Sequence, residues 1–388
     1  MADIEVEDPA EMPYRRFGIP TMGFENYWYP ILTAREVKRK PKAVRLCGKD
    51  IVIYRDGGKV YALDDRCPHR GVKLSAGSCD YAGSGTISCP YHGWTFDGAS
   101  GQLVAALMEG PGAAIERKVT VPTYPVREHA GLIWVWPGDM EPVRLEDDVP
   151  EYVGDQSKFF SISVWADYKC NWRALVDNWP TDHHAQYVHR NSPELLFQPV
   201  LPFALTLEPK PLDGNKGISI KRSGGMKSAV YPGLGPFPNK EWWRFMEPTG
   251  RGAVTGFENS KAHKVYGIKN QAEVWLPGMV VVGRLTGEYA LTQWAVPIDA
   301  NTTRCFNINN FRRLGRWREI YDRIHYAVWR GWAHDRIFSD QDKYMVEDLV
   351  PGPERLSKTD VGVIYWRKFA GANARRPVET ESKIRSIA

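Results

Sequence analysis

Four residues, Cys67, His69, Cys89 and His92, constrain this 388-residue chain more than any others in it. They stand as Cys-Pro-His and Cys-Pro-Tyr-His, with 19 residues between His69 and Cys89. If one centre takes all four, two loops must meet tip to tip, and strands must hold both loops in place. Two thiolates and two imidazoles suit a [2Fe–2S] cluster in which cysteines hold one iron and histidines the other. That ligation raises the reduction potential above that of an all-cysteine cluster. A structural zinc site is the competing chemistry. Zinc modules usually space each pair by two or more residues, and a one-residue gap is awkward for two ligands on one tetrahedral ion.

The surroundings read as the required scaffold. Residues 50–55 run apolar, Asp56-Gly57-Gly58 is a hairpin turn, and residues 60–63 continue the pattern. Residues 131–136 form another short strand, closed by Pro137-Gly138. A compact β-rich domain is expected over residues 27–145. The acidic, Pro-containing stretch 141–155 is the expected junction to a second domain over 146–388, on which residues 1–26 should pack. That half predicts an α+β fold, an antiparallel sheet with helices on one side. Strands are expected at 161–166, 272–278 and 290–296, an interrupted helix at 171–190, and a long amphipathic helix at 314–348. The tail after Gly371 is polar and basic.

The bulk numbers exclude little but exclude it clearly. A net charge of +5, with basic residues dispersed, gives no nucleic-acid footprint. The acidic N-terminus has no signal-peptide pattern, and no window reaches the roughly 18 apolar residues of a membrane span. Six scattered cysteines, two of them cluster candidates, suit a reducing cytoplasm.

A second metal site is expected at Asp177 to His189. Three histidines and two carboxylates, Asp177, Asp182, His183, His184 and His189, fall within 13 residues, in a chain with nine histidines. Two histidines and one carboxylate with open positions make the facial triad of non-haem Fe(II) oxygenases, where O₂ and substrate approach one metal. On a regular helix His184 and His189 would stand about 140° apart, so a shared ion requires a distorted or broken helix. Pro180 already interrupts the segment.

The flanks carry a resemblance. Cys67-Pro-His-Arg-Gly71 and Cys89-Pro-Tyr-His-Gly-Trp-Thr-Phe96 resemble the two cluster-binding loops of the Rieske family. The spacer is slightly longer than usual, with the surplus placed in 78–85, which carries Cys79. Asn171-Trp-Arg173 followed by Asp177-Asn178 resembles the entry to the iron motif of Rieske non-haem iron oxygenases. His184-Ala-Gln-Tyr-Val-His189-Arg190 resembles the ligand stretch of homotrimeric members such as the dicamba- and vanillate-type demethylases. Asn26-Tyr-Trp-Tyr-Pro30, Thr123-Tyr-Pro-Val126, Trp275-Leu-Pro-Gly278 and Val296-Pro-Ile-Asp299 resemble the carbazole 1,9a-dioxygenase branch.

The resemblance implies a terminal oxygenase α subunit whose catalytic domain is of helix-grip type. It implies His184 and His189 as imidazole ligands, with His183 the rival for the first position. The third ligand is a late helical aspartate, Asp342, with Asp340 as second choice. The family places an aspartate three residues before the first histidine, bridging to the cluster of the neighbouring subunit. Here Thr181 holds that place and the aspartate is displaced to Asp182, the candidate bridge. Asn178 is a second candidate catalytic residue. Leu201, Phe203, Leu234, Trp275 and Met279 are candidate pocket walls for a small aromatic substrate. The implied assembly is a homotrimer fed with NAD(P)H electrons through a separate reductase and ferredoxin. No nucleotide-binding fingerprint follows a strand here. The implied outcome is dihydroxylation of a carbazole-like aromatic, or monooxygenation with loss of an O- or N-alkyl group. An electron carrier without a catalytic iron is the rival from another class.

Overall fold

The computed structural model describes residues 12–179, 184, 188, 189, 192, 193, 206–223, 230, 231, 233, 235, 236, 271–286, 288–350 and 352–376. The chain divides into two compact units. One is Phe24–Val149 with Val296–Asp299 and residues from Arg375. The other is the chain up to Gly23, Pro150–Ala295 and Ala300–Ala374.

Three small antiparallel sheets build the first unit. β1 (Tyr29–Thr33) pairs with β9 (Leu132–Val135), which pairs with β8 (Val126–His129). β2 (Lys42–Leu46), β3 (Lys49–Asp56) and β4 (Lys59–Asp64) form a meander, and β5 (Thr86–Ser88), β6 (Trp94–Asp97) and β7 (Leu103–Ala106) form another. The expected hairpin joins β3 to β4 through Gly57 and Gly58, at φ 55° and 78°. Both values lie in the left-handed region that two-residue hairpin turns demand and that glycine adopts without strain. Val52, Tyr54, Leu63, Leu74, Ile87, Phe96 and Leu103 form one core, and Cys67 and Cys89 belong to it.

The second unit is built on a seven-stranded antiparallel sheet. Its strands are β10 (Phe159–Tyr168), β11 (Thr206–Pro211), β12 (Gly217–Ser223), β15 (Gln271–Trp275), β16 (Met279–Thr286), β17 (Tyr289–Asp299) and β18 (Thr302–Arg312). The order across the sheet is β10-β18-β17-β16-β15-β12-β11, and β13 (Val230–Tyr231) and β14 (Gly235–Pro236) make a separate two-residue ladder. Single-turn helices α1 (Met12–Arg15) and α3 (Glu151–Gly154) precede α4 (Trp172–Asn178) in this unit, and α2 (Leu145–Asp148) lies at the end of the Phe24–Val149 segment of the first unit. α4 starts where the Asn171 side chain accepts from the Arg173 amide at 3.1 Å, satisfying one of the free donors of a first turn.

The long helix expected over 314–348 runs from Arg316 to Glu347 as α5 (Arg316–His325), a π-wound stretch (Tyr326–Phe338) and α6 (Ser339–Glu347). The apolar residues of α5, among them Trp317, Tyr321 and Ile324, are exposed, so its amphipathic pattern does not mark a buried face of this chain. The π-wound part is tied to the sheet by polar groups. Asn307 and Asn309 on β18 donate to the two oxygens of Asp335 at 3.1 Å each, and the Tyr326 hydroxyl donates to it at 2.6 Å. Buried asparagines are costly in a central strand unless bonded, and amide-to-carboxylate bonds are among the stronger ones. Asn307 also donates to Ser339 Oγ at 3.0 Å, which fixes the start of α6 over the sheet. α7 (Val361–Asn373) packs on β11 and β12. Among the described residues no helix is long and apolar enough to cross a membrane.

Candidate metal centres

The two Cys/His loops follow β4 and β5 and repeat one backbone design. Cys67 N donates to Val72 O at 2.9 Å while Gly71 N donates to Cys67 O at 2.8 Å. Cys89 N donates to Trp94 O at 2.8 Å while Gly93 N donates to Cys89 O at 3.1 Å. Each loop therefore turns over four residues onto a glycine of positive φ, 73° at Gly71 and 65° at Gly93. A side chain on Gly93 would also meet Leu107 Cβ at 2.9 Å.

This pair of loops brings the four expected residues together. Cys67 and Cys89 are buried, His69 is exposed and His92 is half-buried. The two imidazole rings lie 4.7 Å apart between centroids. His69 stacks on Trp94 at 4.6 Å, and Tyr91 lies against His92 at 3.8 Å. Burial pushes the Cys67 thiol up to about 11, with the adjacent Cys89 adding to the effect. Thiols so placed ionise when a metal takes the proton's position, so metal binding there releases protons. Two inner sulfurs and two outer imidazoles fit the mixed ligation of the cluster. The surplus spacer residues form a loop tied back by the reciprocal pair Ser78 N to Ser88 O (3.2 Å) and Ser88 N to Ser78 O (2.7 Å).

The second centre is a triangle of donor atoms. His184 Nε2 and His189 Nε2 each lie 3.1 Å from Asp342 Oδ1, and they lie 3.3 Å from each other. Bonds of about 2.1 Å meeting at 90–109° separate their donors by roughly 3.0–3.4 Å, so the triangle has the size of one face of a coordination sphere. Three donor atoms this close can share one cation, and the donor set fits a divalent ion. His189 is fully buried and Asp342 nearly so. Burial pushes the Asp342 carboxyl up, but the charges and hydrogen bonds of His189 and His184 outweigh it and hold the group well below the usual carboxylate range.

Asp342 and His189 are each held by further groups. Asn178, at the end of α4, donates from Nδ2 to Asp342 Oδ1 at 3.1 Å. His189 Nδ1 lies 3.0 Å from Gln341 Oε1, and its ring stacks on Phe338 at 3.6 Å and 14°. α4 is itself anchored one residue before Asn178. Asp177 Oδ2 accepts from Arg367 Nε (3.0 Å), Arg367 Nη2 (2.6 Å) and Tyr14 OH (2.8 Å). Arg367 reaches Glu354 as well, at 2.5 and 2.7 Å. Burial raises the Asp177 carboxyl to about 6 against the opposing pull of Arg367.

Asp340, the second choice for the third ligand, is exposed and stands outside the triangle. Asp182, His183, Leu201, Phe203 and Leu234 lie outside the described residues. Trp275 and Met279 are cross-strand partners on β15 and β16, Trp275 half-buried and Met279 fully buried. Sequence reading did not single out Gln341, Phe338 or Arg367. The available signal for the first two was their spacing from Asp342, one and four residues back on one helix.

Comparisons with known proteins agree with this geometry. The chain matches the Rieske [2Fe-2S] domain over residues 27–125 and the family described as homotrimeric ring hydroxylase over residues 136–377. It is 31% identical over 373 residues to the terminal oxygenase component of carbazole 1,9a-dioxygenase from a Sphingomonas species, covering 91% of this chain and 93% of that protein. It is 36% identical over 168 residues to the oxygenase component of dicamba O-demethylase from Stenotrophomonas maltophilia, covering 42% and 47%. The solved terminal oxygenase of carbazole 1,9a-dioxygenase from Nocardioides aromaticivorans IC177 superimposes with a TM-score of 0.77 at 26% identity, over 94% of this chain and 99% of that one. With cluster loops in one unit, a two-histidine, one-carboxylate triangle in the other and both family matches, the chain belongs to the homotrimeric ring hydroxylases, the Rieske non-haem iron oxygenases.

Proposed function

We propose that this chain is the terminal oxygenase component of a multicomponent aromatic-ring-hydroxylating dioxygenase, acting in the cytoplasm on a polycyclic or heterocyclic aromatic of the carbazole type. The observation that carries the reading is the 3.1, 3.1 and 3.3 Å triangle of His184, His189 and Asp342. In this reading Cys67, His69, Cys89 and His92 hold the cluster, and the triangle holds Fe(II). When bound, the cluster supplies one-electron storage and the iron supplies open positions for O₂.

The chain's own residues set the conditions for that chemistry. The buried cysteines keep the sulfur side of the cluster site out of water. The exposed His69 and half-buried His92 present the imidazole side, with exposed Arg70 and Lys73 nearby to steer an acidic ferredoxin. Asn178 orients the Asp342 carboxylate, and the Asp177–Arg367 anchor fixes the helix end that carries Asn178. Asp182 is assigned to the same machinery from its place in the sequence. The substrate pocket is assigned to Leu201, Phe203, Leu234, Trp275 and Met279, an apolar set suited to a flat aromatic. Residues 27–145 carry the cluster and residues 146–388 the catalytic iron, with 1–26 packed on the latter. The named family supports a homotrimer, and the component named in its carbazole relatives supports separate electron-delivery proteins.

A second reading, an O- or N-demethylase, is favoured by the His184–Arg190 stretch and by the partial match to dicamba O-demethylase. Turnover with carbazole, ferredoxin, reductase and ¹⁸O₂ separates the two. Both gas-derived oxygens in a diol or its ring-opened product support the dioxygenase. No product from carbazole, with formaldehyde released from a methoxylated aromatic, overturns it in favour of the demethylase.

A further inference from the structure

We infer that Gln341 is a positioning residue of the iron centre, holding His189 in the tautomer whose Nε2 carries the lone pair. This rests on the reading of His184, His189 and Asp342 as the iron ligands. A neutral imidazole has one N–H and one lone pair, so the partner of Nδ1 decides what Nε2 can do. His189 Nδ1 lies 3.0 Å from Gln341 Oε1, an acceptor, which places the proton on Nδ1. Nε2 is then bare where it lies 3.1 Å from Asp342 Oδ1 and 3.3 Å from His184 Nε2. With the amide reversed, the Gln341 nitrogen would donate to Nδ1. The proton would move to Nε2 and fill the triangle in place of an ion.

Three residues of one helix act on the same ring. Phe338, Gln341 and Asp342 fall within about 100° of one helical face at 100° per residue. Phe338 covers the ring face at 3.6 Å, Gln341 meets its edge in hydrogen-bond range, and Asp342 meets its other nitrogen. Stacking and an edge bond together leave the imidazole no free rotation. Packing alone does not account for glutamine here. Gln341 is 3% exposed, and its Nε2 has no hydrogen-bond partner among the described residues. A buried amide with half its capacity unmet is a poor filler where leucine or methionine would fit, so the acceptor oxygen is the reason for it.

The test compares wild type, Gln341→Met and Gln341→Glu after mononuclear iron is stripped by chelation. Fe(II) is then titrated back in competition with a chromophoric chelator. The cluster absorption spectrum reports folding, and the electron paramagnetic resonance of the nitric oxide adduct reports the iron's ligand field. The inference predicts that methionine weakens Fe(II) binding about 10- to 100-fold and changes the adduct spectrum, the usual cost of losing such a partner. Glutamate, which still accepts from Nδ1–H, should bind Fe(II) at least as tightly as wild type. Methionine binding within about threefold of wild type, with an unchanged adduct spectrum, overturns the inference. So does a glutamate variant as weak as the methionine one with its cluster intact. If wild type itself takes up no Fe(II) beyond the cluster, the iron-site reading fails, an outcome distinct from these.

Discussion

Replacing Arg367 by methionine should destabilise the catalytic unit by about 3–5 kcal/mol at pH 8, the cost of removing one partner of a buried charge pair. The guanidinium is 2% exposed and donates to both Asp177 and Glu354. The two carboxylates are not equally harmed by its loss. The Glu354 side chain is 33% exposed and can turn to water, whereas the Asp177 side chain is 12% exposed and would lose its charged donor while still accepting from Tyr14 OH. Most of the penalty therefore falls on Asp177. At roughly 2–4 °C per kcal/mol for a unit of this size, the melting temperature should fall by about 6–20 °C. The pH dependence identifies the cause. The folded Asp177 carboxyl sits at about 6, raised from 3.8 by burial. A raised group contributes stability that is complete below the unfolded value and lost as pH rises through the folded one. Without Arg367 that folded value rises further, so the deficit of the variant should be largest at pH 8 and narrow as pH falls through 6. Adding Asp177→Asn to the variant should recover part of the loss, because the uncompensated charge is gone. Thermal unfolding of the wild type, the two single variants Arg367→Met and Asp177→Asn, and the double variant between pH 5 and 8 is the assay. A deficit below about 1 kcal/mol, or one that does not change with pH, would refute this account of the anchor.

Other consequences are direct. Asp342→Asn removes the anion from the triangle. At an effective dielectric of about 20, one unit charge near a dication is worth on the order of 4–8 kcal/mol, so Fe(II) affinity should fall at least ~10³-fold with the cluster spectrum unchanged. Retention of tight Fe(II) binding in a chelator competition would move the third ligand elsewhere. Cys89→Ser should lose the cluster's visible absorption while the triangle still takes up Fe(II) in the same competition assay. A protein that keeps the absorption contradicts the assigned ligand set. Gly371→Ala should destabilise by about 1–3 kcal/mol despite alanine's better helix propensity, because its Cβ would stand 1.8 Å from Phe17 O. A higher melting temperature would show that the Phe17 segment yields freely.

The cluster site was legible because its information is local. Each loop carries its cysteine, its histidine and its turn glycine within five residues, and the same backbone bonds close both loops. The triangle of His184, His189 and Asp342 was legible only in part. His184 and His189 do not share a regular helical face, and Asp342 is more than 150 residues away on a helix whose pattern also offers Asp340. Resemblance selected Asp342, and the fold brings Asp342 rather than Asp340 to the two histidines. Asn307 and Ser339 set the start of α6 so that Asp342 turns inward while Asp340 stays exposed. Gln341 and Arg367 were invisible because a polar residue in a helix reads as solvent-facing, and only long-range packing buries them. The reverse error would have been equally easy on α5, whose apolar stripe looks like a core face and is exposed.

The most direct test is iron and acid-labile sulfide per chain on protein purified without air and supplied with Fe(II). A chain with both centres holds about three irons and two sulfides, and Asp342→Asn lowers the count to about two irons with the sulfide unchanged. About two irons and two sulfides in the wild type, unmoved by added Fe(II), would leave an electron carrier and contradict the oxygenase.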